Sequence, residues 1–356
     1  MAERTGAVQE KLTETRKALV SQMLSDMAEG GLGWQRAWVS AMPTNPSTGK
    51  RYQGRNALLL LFAMRVMGTA DPRFMTFRQA KEEGLSVCKG AKGFPIERWR
   101  AFVSDRNHPE ERIPQPKTDE EWEAARADPD IEISWRQVGG WYVFHASQID
   151  GIEPYGRQGM LRGQEAIDLI EGCSPVQVTE IAQDEAYYSP GNDEIVVPLR
   201  EQFDDLGVMA RVLLHEQAHS TMAPSRCDRT PGRFGDDSYA FEELVAEISS
   251  MFSACELEVD TIGDAAPDGD YMARHAAYVA SWASRAKSED AVDLIMAAAS
   301  KAGAATSWLV ENCYGSRMRE LEQLRIANEP LAEQQQDASS GTLGEERRAR
   351  LRQEER

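Results

Sequence analysis

The sequence predicts an α+β protein organised as two successive domains. Three observations carry this. Residues 94–103 and 134–150 alternate like strands, while 7–29 and 57–67 repeat at helical spacing, so the first part mixes both element types. The stretch GIEPYGRQGMLRG at 151–163 reads as a linker. Beyond it helical segments dominate, and one of them spells His-Glu-x-x-His at 215–219. The expected domains are 1–150 and 151–328, followed by a charged tail, 329–356, too poor in apolar residues to fold on its own account.

Each element has a local reason. Val8, Leu12, Leu19, Met23 and Met27 recur near helical spacing over 7–29, and Gly30-Gly31 stop the helix. Pro43, Pro46 and Gly49 make the next segment a loop, after which Asn56 is expected to cap a helix over 57–67. DPRFMTFRQAKEEG, 71–84, predicts a short strand or turn and then a short helix. CKGAKG, 88–93, is a basic glycine turn before a strand. Residues 105–130 are polar and proline-containing and are expected to form an insertion or mobile loop. In the second part, a helix over 164–172 precedes strands with a turn at Pro190-Gly191-Asn192-Asp193. Helices are then expected over 204–222, 239–256, 271–286 and 290–312.

The totals narrow the function classes. No run of about 18 apolar residues exists, so no membrane partner is expected. The first residues, MAERTGAVQEKL, lack the apolar core of a signal peptide. Five dispersed cysteines without a C-x-x-C fit reduced thiols and a cytoplasmic location. Net charge is −18, yet residues 1–100 hold 16 Lys+Arg against 9 Asp+Glu, a net of +7 that leaves −25 for the remainder. A basic front on an acidic body is what a chain shows when one domain meets a polyanion.

Two histidines four apart on a helix lie about 40° apart around the axis and about 6 Å along it, close enough to share one tetrahedral zinc ion. His215 and His219 meet this condition, and Glu216 between them can reach a zinc-bound water as general base. Leu206, Met209, Ala210 and Leu213 form an apolar back, which puts the histidines on a different face. In YAFEELVAEISSMFSAC, Ala240, Glu243, Glu247, Ser250 and Ala254 share a face that is small apart from its two carboxylates. Such a face lets a second helix approach closely, so Glu243 is the expected third ligand and Glu247 the group that orients a ligand histidine. Glu242 points to another side. A structural site uses the same side chains as a catalytic one. Catalysis would also need an oxyanion partner, for which Tyr239, Tyr271, His275 and Tyr278 are candidates.

Six of the eight tryptophans precede residue 142, and between 34 and 100 they are interleaved with cations. Aromatic faces and positive charge suit single-stranded DNA, whose bases stack and whose phosphates need neutralising. The candidate contacts are Trp34, Arg36, Trp38, Lys50, Arg51, Tyr52, Arg55, Asn56, Lys89, Lys92 and Arg98.

TNPSTGKRYQGRNALLLL, DPRFMTFRQAKEEGLSVCKGAKGFPIERW and WYVFHASQIDGI resemble the N-terminal single-stranded-DNA-binding domain of the ArdC-like antirestriction family, a domain shared with TraC-type plasmid primases. AYYSPGNDEIVVPLREQF, LLHEQAHSTMAPSRCDR, YAFEELVAEISSMF and HAAYVASWASRAK are similar to the zincin-like metallopeptidase domain fused to it. The resemblance covers about residues 30 to 310. It implies a plasmid or phage protein that binds single-stranded DNA and shields incoming DNA from host defence. It also implies zinc on His215, His219 and Glu243, with Glu216 as the matching base. The family usually has a large aliphatic residue after His-Glu, where this chain has Gln217. Two further readings stay open at this stage. One is an active zinc metallopeptidase cleaving a host defence or DNA-associated protein, and the other a mobile-element structural or partner-binding protein.

Overall fold

The computed structural model describes residues 2–28, 41–156, 159–230, 237–261, 288–321 and 323. The expected helix over 271–286, the tail from 329, and Trp34, Arg36 and Trp38 lie outside these residues. The first helix, α1 (Ala2–Ala28), buries Leu12 and Leu19 from the stripe read in the sequence. After it come α2 (Gly54–Met67), β1 (Phe74–Thr76), α3 (Phe77–Glu82), β2 (Ser86–Val87), β3 (Phe94–Asp105), α4 (Asp119–Ala127), β4 (Ile131–His145) and β5 (Ile149–Asp150). An antiparallel sheet runs β1-β4-β3, and β2 pairs with β5. Thr76 starts α3 with a reciprocal capping box: its hydroxyl accepts from the Gln79 backbone N–H, and the Gln79 side chain accepts from the Thr76 N–H.

Two expectations for this part are corrected. Asn56 does not cap α2, whose cap position is Gln53. Its amide instead spans to β3, donating to the Glu97 carbonyl at 2.9 Å and accepting from the Glu97 N–H at 2.8 Å. One side chain thus satisfies both backbone groups of a buried residue. Residues 105–130 are not a structureless insertion. Gln115 binds the backbone of Val103 in both directions at 2.9 Å. Thr118 and Glu121 form a second capping box that starts α4. Polar composition here reflects an exposed connection, but these side chains satisfy backbone groups locally and hold its shape.

The later elements are α5 (Gly163–Gly172), β6 (Gln177–Ile181), β7 (Tyr187–Ser189), β8 (Glu194–Pro198), α6 (Leu206–Ser220), α7 (Asp237–Leu257) and α8 (Ser288–Asn312). The second sheet runs β6-β8-β7, with β6 parallel and β7 antiparallel to β8. Asp205 caps α6 by accepting from the Gly207 N–H at 2.7 Å. The end of the 151–163 stretch is fastened: Leu161 donates to the Glu258 carbonyl and accepts from the Asp260 N–H just past α7.

The largest apolar core does not follow the linker. It joins Leu12, Leu58, Phe74, Ile96 and Val143 of the first part to Leu244, Ile248 and Phe252 of α7 and Ile295 and Ala299 of α8. A second core, with Ile167, Ile195, Met209 and Leu213, packs on α6 and on Ala254 and Leu257 of α7. The helix α7 is therefore common to both cores. No helix among the described residues is long and apolar enough to cross a membrane.

One close contact between the two parts is where Gly303 of α8 faces Gly54 at the start of α2. A Cβ on Gly303 would lie 2.6 Å from the Gly54 Cα and 2.7 Å from its nitrogen. Alanine in a helix interior gains about 1 kcal/mol over glycine. Overpacking against backbone costs about 1–3 kcal/mol and should outweigh that gain. Gly303→Ala is therefore expected to lower the urea midpoint, whereas Gly172→Ala, with nothing within 4 Å of the added atom, should not. A Gly303→Ala midpoint at or above the parent value would contradict this packing.

Candidate metal centre

Helix α6 is buried on all sides, not on one apolar back as its spacing suggested. Every residue from Met209 to Ser220 is buried, including Arg211, Gln217 and Ser220. The polar residues survive because each has a partner. Gln217 donates to the Ile170 carbonyl at 2.7 Å and accepts from the Tyr314 hydroxyl at 3.2 Å, so an aliphatic side chain would leave both groups unmet. Burial also holds the Tyr314 phenol far above its ordinary value.

Helix α7 packs on α6 through the small-residue face. Ala240, Glu243, Glu247, Ser250 and Ala254 are all buried. Ser250 donates to the Arg211 carbonyl, Glu247 approaches His215, and Glu243 reaches both His215 and His219. Numbers fall along one helix as they rise along the other, so the pair is antiparallel.

The site itself is compact. His215 Nε2 and His219 Nε2 are 3.0 Å apart with ring planes at 78°. Glu243 Oε2 lies 3.5 Å from His215 Nε2, and Glu243 Oε1 lies 3.6 Å from His219 Nε2. One ligand atom from each of the three falls within 4.8 Å of the others. Ligands at bonds of about 2.0–2.2 Å in a tetrahedron are separated by about 3.4 Å, so the donor set and spacing fit a divalent cation. Behind the triad, Glu247 Oε1 is 3.4 Å from His215 Nδ1 and Glu242 Oε1 is 3.6 Å from His219 Nδ1. Each imidazole therefore turns one nitrogen to the centre and the other to a carboxylate, the arrangement that orients ligand histidines. Glu216 is buried beside His215 in the same helix.

Sequence reasoning missed the Glu242 contact and what holds it. Arg229 donates to both Glu242 oxygens, at 3.0 and 2.7 Å, to Thr221 Oγ1 at 2.7 Å and to the Ala218 carbonyl at 3.0 Å. Arg226 binds Asp193 in the turn after β7 and the Ser220 carbonyl at the end of α6. The two arginines of SRCDR thus brace the histidine helix. Their motif was visible in the sequence, but their partners lay 13 and 33 residues away. Of the oxyanion candidates, Tyr239 is half-buried in α7, and Tyr271, His275 and Tyr278 lie outside the described residues.

The expected DNA contacts divide into two groups. Lys50, Lys89, Lys92 and Arg98 are exposed. Among the described residues, the other four, Arg51, Tyr52, Arg55 and Asn56, make contacts within the fold. Arg51 pairs with Glu256 of α7 at 2.7 Å. The Tyr52 hydroxyl donates to the Phe74 carbonyl at 3.0 Å, and burial pushes its pKa up to about 12. Arg55 lies 4.2 Å over the Trp99 ring and 4.0 Å from buried Glu97, and Asn56 clamps Glu97 as described. Glu97 also accepts from Arg16 of α1 and from the Trp99 indole.

Comparison with known proteins follows the same division. Residues 13–129 match the family model described as the N-terminal domain of anti-restriction factor ArdC, and residues 166–301 match that of a zincin-like metallopeptidase. Two Escherichia coli proteins named DNA primase TraC are 35% and 32% identical to the chain over 291 residues, covering 79% and 80% of it. The chain spans only 26% and 19% of those primases. An uncharacterised Sinorhizobium fredii protein, y4eC, is 29% identical over 83% of this chain and 92% of its own. Crystal structures of antirestriction protein ArdC from plasmid R388, one Mn(II)-bound and one metal-free, superpose with TM-scores of 0.57 and 0.58 at 28% and 29% identity. Each comparison covers 83% of this chain and 97% of that one. A divalent metal is implied by this neighbour together with the zincin-like domain.

Two outcomes follow from the electrostatics. Burial lowers the His215 pKa, but Glu243 and Glu247 more than offset this and hold it well above its ordinary 6.5. His219 is raised too: burial lowers it, and Glu243 and Glu242 outweigh that. A raised imidazole stabilises the fold fully below the unfolded pKa, and the gain is lost as pH rises through the folded value. Metal-stripped protein should therefore unfold at higher urea at pH 6 than at pH 8.5, with a smaller difference in His215→Asn. Equal midpoints in the parent would rule this out.

The Arg229–Glu242 pair gives the second outcome. Both side chains are buried, at 7% and 6% exposure, so removing the cation strands a carboxylate. Arg229→Met is expected to cost about 3–5 kcal/mol in denaturant unfolding, with much of that recovered in Arg229→Met/Glu242→Met. Additive losses in the double variant would mean that the pair is not coupled.

Proposed function

Since the chain belongs to the ArdC-like antirestriction family, joining an ArdC N-terminal domain to a zincin-like domain, we propose that it is a zinc-containing protein that binds single-stranded DNA. It would act in the cytoplasm to protect incoming plasmid or phage DNA from host defence. The observation that carries the zinc assignment is the convergence of His215, His219 and Glu243 from two antiparallel buried helices. Two imidazoles and one carboxylate are a donor set zinc accepts readily. Glu247 and Glu242 would fix the ring orientations, and Arg229 would fix Glu242. For DNA, the support is the positive balance of residues 1–100 and the exposed cations Lys50, Lys89, Lys92 and Arg98.

A second reading, peptide-bond hydrolysis of a host or DNA-associated protein, is favoured by Glu216, which is 1% exposed and adjacent in sequence to a ligand histidine. A cation held there would supply Lewis acidity. Glu216 would take the proton from the water attacking the carbonyl, and Glu243 and the histidines would keep the centre in place.

The full chain is expected to carry about one zinc per molecule by elemental analysis and to lose it in His219→Ala. Glu247→Gln should weaken metal affinity about 10- to 100-fold, because it removes only the orienting group. The same protein should shift a single-stranded oligonucleotide more than the duplex, with affinity falling steeply as salt rises. Glu216→Gln should keep both metal and DNA binding. If metal-loaded parent protein cleaves a candidate host protein and Glu216→Gln does not, the hydrolytic reading gains. Metal-free purified protein that takes up no zinc would refute the site.

A further inference from the structure

Among the described residues, four tryptophans of the first part belong to none of the hydrophobic cores, and three of them gather at one place. Trp99 on β3, Trp135 on β4 and Trp122 on α4 converge on a cleft of about 780 Å³, where Trp135 remains 65% exposed. The register explains how the cleft forms. Ala101 pairs with Trp135 and Trp99 with Gln137, so Trp99, Ala101 and Trp135 stand on one face of the β3–β4 hairpin. The small Ala101 leaves a gap between two large rings. The connection 106–130 then roofs the gap with Trp122, held in place by the Gln115 clamp on Val103 and the capping box of α4. Three exposed cations, Arg100, Lys117 and Arg126, also line it, and no carboxylate among the described residues does.

We infer that this cleft is where an unpaired nucleobase of a DNA strand enters, stacking on Trp135 and Trp122 while Lys117 and Arg126 meet the adjoining phosphates. The inference rests on the proposed single-stranded-DNA binding and places it on residues other than Arg51, Tyr52, Arg55 and Asn56, whose side chains are engaged within the fold. A large exposed indole is costly in water unless a flat ligand covers it, and every base offers a flat face. The cations supply charge complementarity to a polyanion and disfavour a basic partner. The volume lies within the range of about 300–1,000 Å³ found for small-ligand sites, enough for a base and its sugar.

The test uses the full chain and three probes: oligo(dT), the same strand with abasic sites, and a duplex. Parent protein should prefer oligo(dT). Trp135→Ala should weaken that binding about 5- to 150-fold, the range for losing one stacked base, and Trp135→Phe should restore most of it. On the abasic strand Trp135→Ala should bind as the parent does, an equality that a general loss of fold would not give. Lys117→Ala/Arg126→Ala should reduce the slope of log affinity against log salt by about 0.7 for each phosphate contact removed. Thermal unfolding of each variant should match the parent, since Trp135 is mostly exposed. If the parent binds oligo(dT) and Trp135→Ala and Lys117→Ala/Arg126→Ala bind it equally well, the cleft is overturned while the DNA-binding function stands. If the parent binds no strand at low salt, both fall together.

Discussion

The close approach of α6 and α7 is the constraint on which the second half depends. Along it the chain buries Glu216, Glu242, Glu243 and Glu247, each at most 5% exposed. Carboxylates in a medium of low polarity are tolerated only when hydrogen-bonded, paired with cations or protonated. Arg229 answers for Glu242. For Glu243 and Glu247 the nearby groups include the two imidazoles, whose raised pKa values express the same demand for positive charge. A divalent cation between His215, His219 and Glu243 would meet that demand without requiring protonation. Small residues at Ser250 and Ala254 make the approach possible, Ser250 by donating to the Arg211 carbonyl and Ala254 by packing with the apolar residues of α6.

The same helix ties the centre to the rest of the molecule. One side of α7 faces α6, while Leu244, Ile248 and Phe252 enter the core shared with α1, α2 and the first sheet. Arg51, from the motif segment TNPSTGKRYQGRN, binds Glu256 near the end of α7. Changes in the first part therefore bear on a helix that carries a candidate ligand. A cut at the linker would expose apolar residues on both sides of it, because the larger core is drawn from both parts of the chain.

How much of this was legible in the sequence depended on the range of the interaction. Helical and strand periodicities are local, and α1, α2, β3, β4, α6, α7 and α8 fall where the apolar spacing put them. The histidine pair is also local, and the face carrying Glu243 and Glu247 needed only helical geometry to be read. By helical spacing alone Glu242 belongs to another side of α7 than Glu243 and Glu247. It still reaches His219 Nδ1, because the second histidine lies one turn further along α6 and offers its other nitrogen there. Gln217 was legible as a departure but not as a partner of Ile170 and Tyr314, which are 47 and 97 residues away.

The basic front shows the limit of charge as a guide. A count of cations cannot separate those that face solvent from those that cancel a buried carboxylate. Arg16, Arg51 and Arg55 belong to the second kind: they converge on Glu97 or Glu256, carboxylates whose side chains are 0% and 7% exposed. Residues 105–130 show the opposite case. Their polarity suggested a loop with little structure, yet two capping interactions and one side-chain clamp give that connection a defined course and bring Trp122 over the hairpin. Surface positive charge in the first part is therefore set less by how many arginines it contains than by which acidic residues the fold has already matched to them. The exposed remainder, which includes Lys50, the CKGAKG turn and the cations around the tryptophan cleft, is what faces solvent.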